Sequence, residues 1–348
     1  MRVTCRQCKK VYDIPDERLP QGKKVAFPCR DCETLVEIDL RPKEPPSPPD
    51  QEIVKPPAAK KAATVKEKKR LAGVSLKKVI LGGATKLPAI PQVVLDALKI
   101  IRRSDATFEE ISHVLSLDQA ITVDVLKLAN SAHYGQAGKI TSVHQASIVL
   151  GLKTLVELIV IVGTSEMLRK KLKGYNIPAS YTWKHALATG FAAKILAERK
   201  GDENAHDAFT AGLIHDVGKI VLNPYVLERK AEFDDYFSSR QRMFYHAEKR
   251  FLGFDHAEIA FDLCRTWNIP QEIRDGVKYH HEPYRVKKKM AYIIHVANII
   301  AKRTSIEPED DDAIMEADQH AFTFLNIGPE DILYIAEDVE NAVMSIMG

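Results

Sequence analysis

The sequence predicts an all-α protein carried behind a small β-rich, cysteine-bearing module and a disordered tether. Three observations lead there. From residue 76 to 348, apolar side chains recur at helical spacing between recognisable caps, and alternating strand patterns are absent after residue 40. Residues 1–40 hold four of the five cysteines and the only strand-like text, Val25-Ala26-Phe27 and Leu35-Val36-Glu37-Ile38. Residues 41–70 contain seven prolines and carry 9 basic against 4 acidic side chains. Such a stretch cannot bury enough apolar surface to fold, and it reads as an extended linker. The expected units are therefore 1–40, 41–75 and 76–348. The last divides near residue 175 into an N-terminal helical part (76–175) and a second helical part (176–348).

Each helix has a local signal. Val94, Leu95, Leu98 and Ile101 share one face. Thr107 and Glu110 form a capping box ahead of Phe108, Ile111, Val114 and Leu115. Asp118 caps a helix with the inward side Ile121, Val125, Leu128 and Ala129. Ser142 and Gln145 make a second box before Ile148 and Leu152. The last helix starts at Pro329 with Glu330 and Asp331 in its first turn, then repeats Ile332, Ile335, Ala336, Val339 and Val343. No repeat at solenoid period is present.

Composition excludes several classes. A net charge of +3 over 348 residues does not mark the whole molecule as a polyanion binder. Charged and cysteine-bearing residues follow Met1 at once, against a secretory signal. The most apolar run, Leu155 to Val162, is interrupted by Glu157 and is shorter than the roughly 20 residues needed to span a bilayer. The expectation is a cytoplasmic protein without a membrane partner. Cys264, between Leu263 and Trp267, reads as a buried structural thiol.

Cys5, Cys8, Cys29 and Cys32 have the spacing Cys-x2-Cys-x20-Cys-x2-Cys. Zinc takes four thiolates in a tetrahedron, each Cys-x-x-Cys turn supplies two, and the intervening chain folds one pair onto the other. A module this small has almost no core, so the metal would supply its folding energy. It resembles the short zinc-ribbon fingers at the N-termini of bacterial regulatory proteins. Its 8 basic and 7 acidic side chains favour a protein-docking or structural role over nucleic acid, whose binding modules carry a basic excess.

The helical part carries His185, His215-Asp216, His256 and His280-His281, each in a different predicted helix, as a metal site in a bundle core requires. Gly218 is expected to end the helix after Asp216, and Lys219 to face an anionic ligand. His113, His133, His144, His206, His246 and His295 read as surface or core residues, with His246 the one spare for His256.

His215-Asp216-Val217-Gly218-Lys219 resembles the signature of the HD phosphohydrolase superfamily, and His185, His256, His280 and His281 fall in its ligand order. Leu87-Pro88-Ala89-Ile90-Pro91, Leu128-Ala129-Asn130-Ser131-Ala132, Ala146 to Gly151 and Trp267-Asn268-Ile269-Pro270 narrow the likeness to the HD-related output domain, HDOD. The resemblance implies a multi-helix HD-like bundle over residues 80–300 and a bacterial signal-transduction role through a protein partner or small ligand. It also implies a divalent metal (Fe, Mn, Mg or Zn) among His185, His215, Asp216, His256, His280, His281 and Asn298. Two departures bear on activity. The superfamily's last ligand is an aspartate where this chain has Asn298, a poor partner for a hard cation. The Gly-Tyr-Pro motif of the cyclic di-GMP hydrolases is replaced by Glu282-Pro283-Tyr284-Arg285. The expectation is a catalytically silent domain. The alternative is a metal-dependent phosphohydrolase acting on a nucleotide, in which His215, Asp216 and Lys219 would be catalytic.

Overall fold

The capping signals place the helices where the sequence puts them. In the computed structural model, Thr107 accepts from the Glu110 amide while the Glu110 carboxylate accepts from the Thr107 amide, closing the capping box. Asp118 accepts from the Ile121 amide and Ser142 from the Gln145 amide. The Gln145 side chain reaches one residue further back, to the Thr141 amide. The structure describes residues 2–5, 7–13, 24–29, 35–39, 72–82, 89–135, 139–202, 204–238, 243–304 and 318–347. Cys32, Leu87, Pro88 and the expected linker up to residue 71 lie outside them.

Four short strands form two antiparallel hairpins: β1 (Arg2–Thr4) with β2 (Val11–Asp13), and β3 (Lys24–Pro28) with β4 (Leu35–Asp39). The elements that follow them are helices. The helices are α1 (Gly73–Gly82), α2 (Gln92–Ile100), α3 (Phe108–Ser116), α4 (Gln119–Ala129), α5 (Val143–Leu168), α6 (Ala179–Arg199), α7 (Ala205–Ile214) and α8 (Val217–Glu228). They continue as α9 (Lys230–Ser238), α10 (Phe244–Leu252), α11 (His256–Thr266), α12 (Gln271–Tyr279), α13 (Lys289–Ala301), α14 (Gln319–Leu325) and α15 (Pro329–Met347). The helical part thus begins at Gly73, ahead of the expected boundary at 76.

Helices α2, α3 and α4 pack on α5, and α5 in turn touches α6 and α7. The second half is built around α6, which lies against α7, α13 and α15 and is buried on nearly every side from Trp183 to Ala197. Helix α1 crosses to α11 of this half, with Lys77 2.8 Å from Asp262.

One sequence expectation needs revision. The apolar text does not stop at Val162: α5 runs 26 residues and is long and apolar enough to cross a membrane. Half of that apolar window is buried inside the fold, and the helix bends at Gly151, where the backbone leaves helical geometry. Core packing of Leu155, Leu158 and Ile159 against the neighbouring helices accounts for its composition. Its buried acid, Glu157, is held by Tyr134 at 2.7 Å, Lys194 at 2.7 Å and His206 at 3.1 Å. Burial would raise the Glu157 pKa, but these three donors outweigh it and hold it below the usual value. Cys264 is fully buried, which pushes its thiol up to about 12, as suits an inert core residue.

Candidate metal centre and cleft

Two close backbone approaches bring the site together. At Gly212 a side chain would press on the Thr189 carbonyl of α6. Its absence lets α7 lie close enough to set His215 Nε2 3.3 Å from His185 Nε2. Gly218 does not end a helix, as its sequence context suggests; it sits inside α8. A Cβ there would overlap the His256 carbonyl of α11, so this glycine is what allows α8 and α11 to carry Asp216 and His256 to one point.

The sequence-predicted ligands converge. His185 (α6), His215 (end of α7) and Asp216 form one group whose ligand atoms lie within 4.8 Å of one another. His256 (start of α11), His280 (end of α12) and His281 form a second. Asp216 stands between them. Its Oδ2 is 3.5 Å from His215 Nε2 and 3.8 Å from His185 Nε2, while its Oδ1 is 3.1 Å from His256 Nε2 and 3.9 Å from His280 Nε2. His281 Nε2 is 2.8 Å from His256 Nε2. Lys219 Nζ donates to Asp216 Oδ2 at 2.6 Å. The lysine expected to face a ligand therefore neutralises the central aspartate, while also lining the cleft.

The outer ring nitrogens are anchored. His215 Nδ1 lies 2.7 Å from the Gly212 carbonyl and His280 Nδ1 2.7 Å from the Val277 carbonyl. A carbonyl only accepts, so each Nδ1 carries the proton and each Nε2 presents its lone pair to the centre, the form a metal ligand takes. Burial drives both rings toward neutrality: His215 falls to about 3 and His280 well below the ordinary value. His256 differs. Burial lowers it, but the Glu248 carboxylate and Asp216 overcome this and raise it to about 9. Burial likewise opposes ionisation of Asp216, yet His215, Lys219 and His256 hold its pKa well below the usual value.

Several participants have no sequence motif. Glu248 on α10 is fully buried; its Oε2 accepts from the His256 amide at 2.8 Å and from His256 Nδ1 at 2.7 Å, and its Oε1 accepts from Tyr175 at 2.6 Å. His295 Nδ1 donates to the His280 carbonyl at 2.7 Å and its Nε2 accepts from the Asp318 amide at 2.9 Å, a bracing role. His246 is exposed and outside both groups, so it does not stand in for His256.

The donors fit a divalent cation. His280 Nε2 and the Asn298 Oδ1 on α13 are buried with no hydrogen-bond partner among the described residues, a costly arrangement unless something coordinates them. A set dominated by imidazole suits iron or zinc better than magnesium. The centre floors a cavity of about 310 Å³ walled by Leu168, Leu172, Ile177, Met243, Phe244 and Tyr245. Tyr181 stacks on His185 and Tyr245 on His281, with ring centroids 6.0 and 4.4 Å apart.

In the N-terminal module, the ligand atoms of Cys5, Cys8 and Cys29 lie within 4.8 Å of one another. Cys8 Sγ is 3.3 Å from Cys29 Sγ, which also accepts from the Tyr12 hydroxyl at 3.1 Å. The Cys5–Lys10 turn is closed by two backbone bonds, with Lys9 in the left-handed region.

The helical bundle brings two histidine groups together about Asp216, the arrangement that the sequence's resemblance to HD proteins implies. The model of the HDOD domain family matches residues 87–283. The chain belongs to the HDOD family. An uncharacterized protein of Treponema pallidum (strain Nichols) is 26% identical over 196 residues, 56% of this chain and 37% of that protein. The match thus spans well under half of the relative's length. The crystal structure of an HDOD domain protein with unknown function from Geobacter sulfurreducens has a TM-score of 0.61 at 26% identity, over 78% of this chain and 95% of that one. A protein from Shewanella amazonensis SB2B, described as a candidate phosphohydrolase, shares the fold with a TM-score of 0.58 at 24% identity, over 77% and 96%.

Proposed function

We propose that this chain is a signal-output protein whose cleft binds a phosphate-bearing small ligand at a divalent metal centre and relays its presence to a protein partner. The observation that carries the reading is the convergence of two imidazole groups on Asp216, with the outer nitrogens of His215, His256 and His280 tied to acceptors. His185, His215 and Asp216 would hold one cation; His256, His280, His281 and Asn298, with Asp216 shared, would hold a second. Bound there, a metal supplies a Lewis acid for phosphate oxygens. Lys219 then leaves Asp216 for the ligand, and Phe244, Tyr245 and Tyr181 exclude water from its other face. Asn298 contributes an amide oxygen where a carboxylate would add charge, so the centre binds metal more weakly and the domain does not turn over cyclic di-GMP or generic phosphodiesters.

A second reading, a metal-dependent nucleotide phosphohydrolase, is favoured by the position of Asp216 between both histidine groups. The N-terminal module is read as a zinc ribbon closed by Cys5, Cys8, Cys29 and Cys32, serving as a docking surface; the balance of charge disfavours nucleic acid. We read the protein as cytoplasmic, without a membrane partner.

The test is elemental analysis of protein purified without added metal, followed by incubation with manganese or ferrous iron and a nucleotide panel. Metal beyond one equivalent, lost in His215→Ala, with no turnover is the expected result. Metal-dependent hydrolysis that vanishes in both His215→Ala and Asp216→Ala would replace the output reading by the hydrolase.

A further inference from the structure

The cysteine module meets the helical part on a surface that the metal centre does not use. Strand β3 lies against α15, with Cα atoms of the two within 8 Å of each other. Charge is divided across that contact. Helix α15 carries Glu330, Asp331, Glu337, Asp338 and Glu340, and no Lys or Arg. The text around β3 is the reverse: from Arg18 to Arg30 the chain has four basic residues and no Asp or Glu. Over residues 1–40 as a whole the charges nearly balance, 8 basic against 7 acidic. The basic excess is therefore local to the strand that meets the helix.

The acids of α15 divide by role. Glu330 and Asp331 sit in the first turn, where the helix dipole favours them, and Arg199 holds Asp331 at 2.9 Å. Glu337 and Asp338 are exposed and form no ion pair among the described residues. Glu337 and Glu340, three apart on one side of the helix, repel each other, a small cost that an approaching cation recovers. Tyr334 and Met344 are exposed beside them and give the same side an apolar footing.

The strand also lacks a cover of its own. A two-stranded hairpin has no interior. The register sets Val25 opposite Ile38 and Phe27 opposite Val36, so these four apolar residues share one face of the β3–β4 hairpin. Within the module β1 approaches β4, where Val36 is buried; α15 approaches at β3.

We propose that the outer side of α15 is the docking surface for the cysteine module of the same chain. The basic stretch around β3 meets the acids of the helix, and its apolar residues meet the footing beside them. The inference rests on the zinc-ribbon reading and deepens it by naming what the ribbon docks on. One strand on one helix is a small contact, weak between separate molecules. Residues 41–70 span at most about 100 Å when extended, and such a tether holds the two surfaces at an effective concentration near millimolar. Loss of the metal unfolds the module and uncovers α15, so the state of the cysteines decides whether this face is open to an outside partner.

The test uses the zinc-loaded full chain. Small-angle X-ray scattering reads its radius of gyration, light scattering its mass and elemental analysis its zinc. A docked chain is expected near 20 Å, and release should raise the radius by about 3 Å. Glu337→Lys/Glu340→Lys should release the module while keeping mass, zinc and helical signal, and raised salt should act in the same direction. Adding Lys23→Glu/Lys24→Glu to that variant restores the opposition of charge and should bring the radius back. A wild type with the released radius, a reversal that leaves the radius unchanged, or a second reversal that fails to restore it overturns the proposal. A dimeric wild type that the first reversal turns into monomers overturns it in favour of docking on a second copy. Zinc content unchanged in Cys5→Ser/Cys29→Ser refutes the ribbon reading, whereas zinc held by a chain of released radius refutes only the docking.

Discussion

Glu248 offers the sharpest test of how the centre is organised. Its carboxylate accepts three hydrogen bonds in a fully buried setting, from Tyr175 at 2.6 Å, the His256 amide at 2.8 Å and His256 Nδ1 at 2.7 Å. Glu248→Ala strands all three donors. At about 1–3 kcal/mol for each buried donor left unpaired, and about 3–5 kcal/mol for breaking a buried charge pair, the metal-free domain should lose about 4 kcal/mol. Glu248→Gln keeps shape and oxygen. Its amide can accept from His256 and donate to the Tyr175 oxygen, so the loss is mainly that of charge assistance, about 1–3 kcal/mol. Tyr175→Phe removes one bond and should cost about 1 kcal/mol. Because Glu248 orients His256, both Glu248 variants should also weaken metal binding by about 10- to 100-fold. Urea unfolding without metal, and Mn²⁺ titration of the folded proteins, read the two effects. A Glu248→Ala protein within about 1 kcal/mol of wild type, or one with unchanged metal affinity, would refute the reasoning.

Four further outcomes follow from the same contacts. Gly218→Ala should separate α8 from α11, because its methyl meets the His256 carbonyl; a loss of about 1–3 kcal/mol with reduced metal uptake is expected, measured by denaturation and elemental analysis. Glu157 has a lowered pKa, so its contribution is present above the unfolded value near 4.5 and is lost as pH falls through the lower folded value. Glu157→Gln should therefore destabilise the protein at neutral pH and flatten the acid limb of its stability curve. Asn298→Asp should tighten Mn²⁺ binding in calorimetry while leaving cyclic di-GMP intact. A strong chelator should collapse the dispersed amide signals of residues 1–40 without lowering the helical circular-dichroism signal, since their fold leans on metal thiolates and the helical part has its own core.

The sequence by itself determined what depends on near neighbours. Thr107, Asp118 and Ser142 cap helices because each side chain reaches an amide three residues on. The 3.6-residue period separates core from surface along α3, α4 and α15, and the order His185, His215, Asp216, His256, His280, His281 already marked the centre. Tertiary structure alone decided which of these groups face one another and what supports them. Glu248 and Tyr175 are 73 residues apart, and Glu157 and His206 are 49 apart; no local pattern links either pair. The role of Gly218 is decided at the same level. A glycine two residues past a histidine–aspartate pair looks like a helix end, and only the backbone of α11 pressing on α8 shows why no side chain fits. The apolar length of α5 also reads differently once its partners are known, because burial among packed helices and burial in a bilayer favour the same side chains. Short-range hydrogen bonds and helical period are written in consecutive residues; close approach, charge pairing and cavity walls arise from segments that only folding brings together.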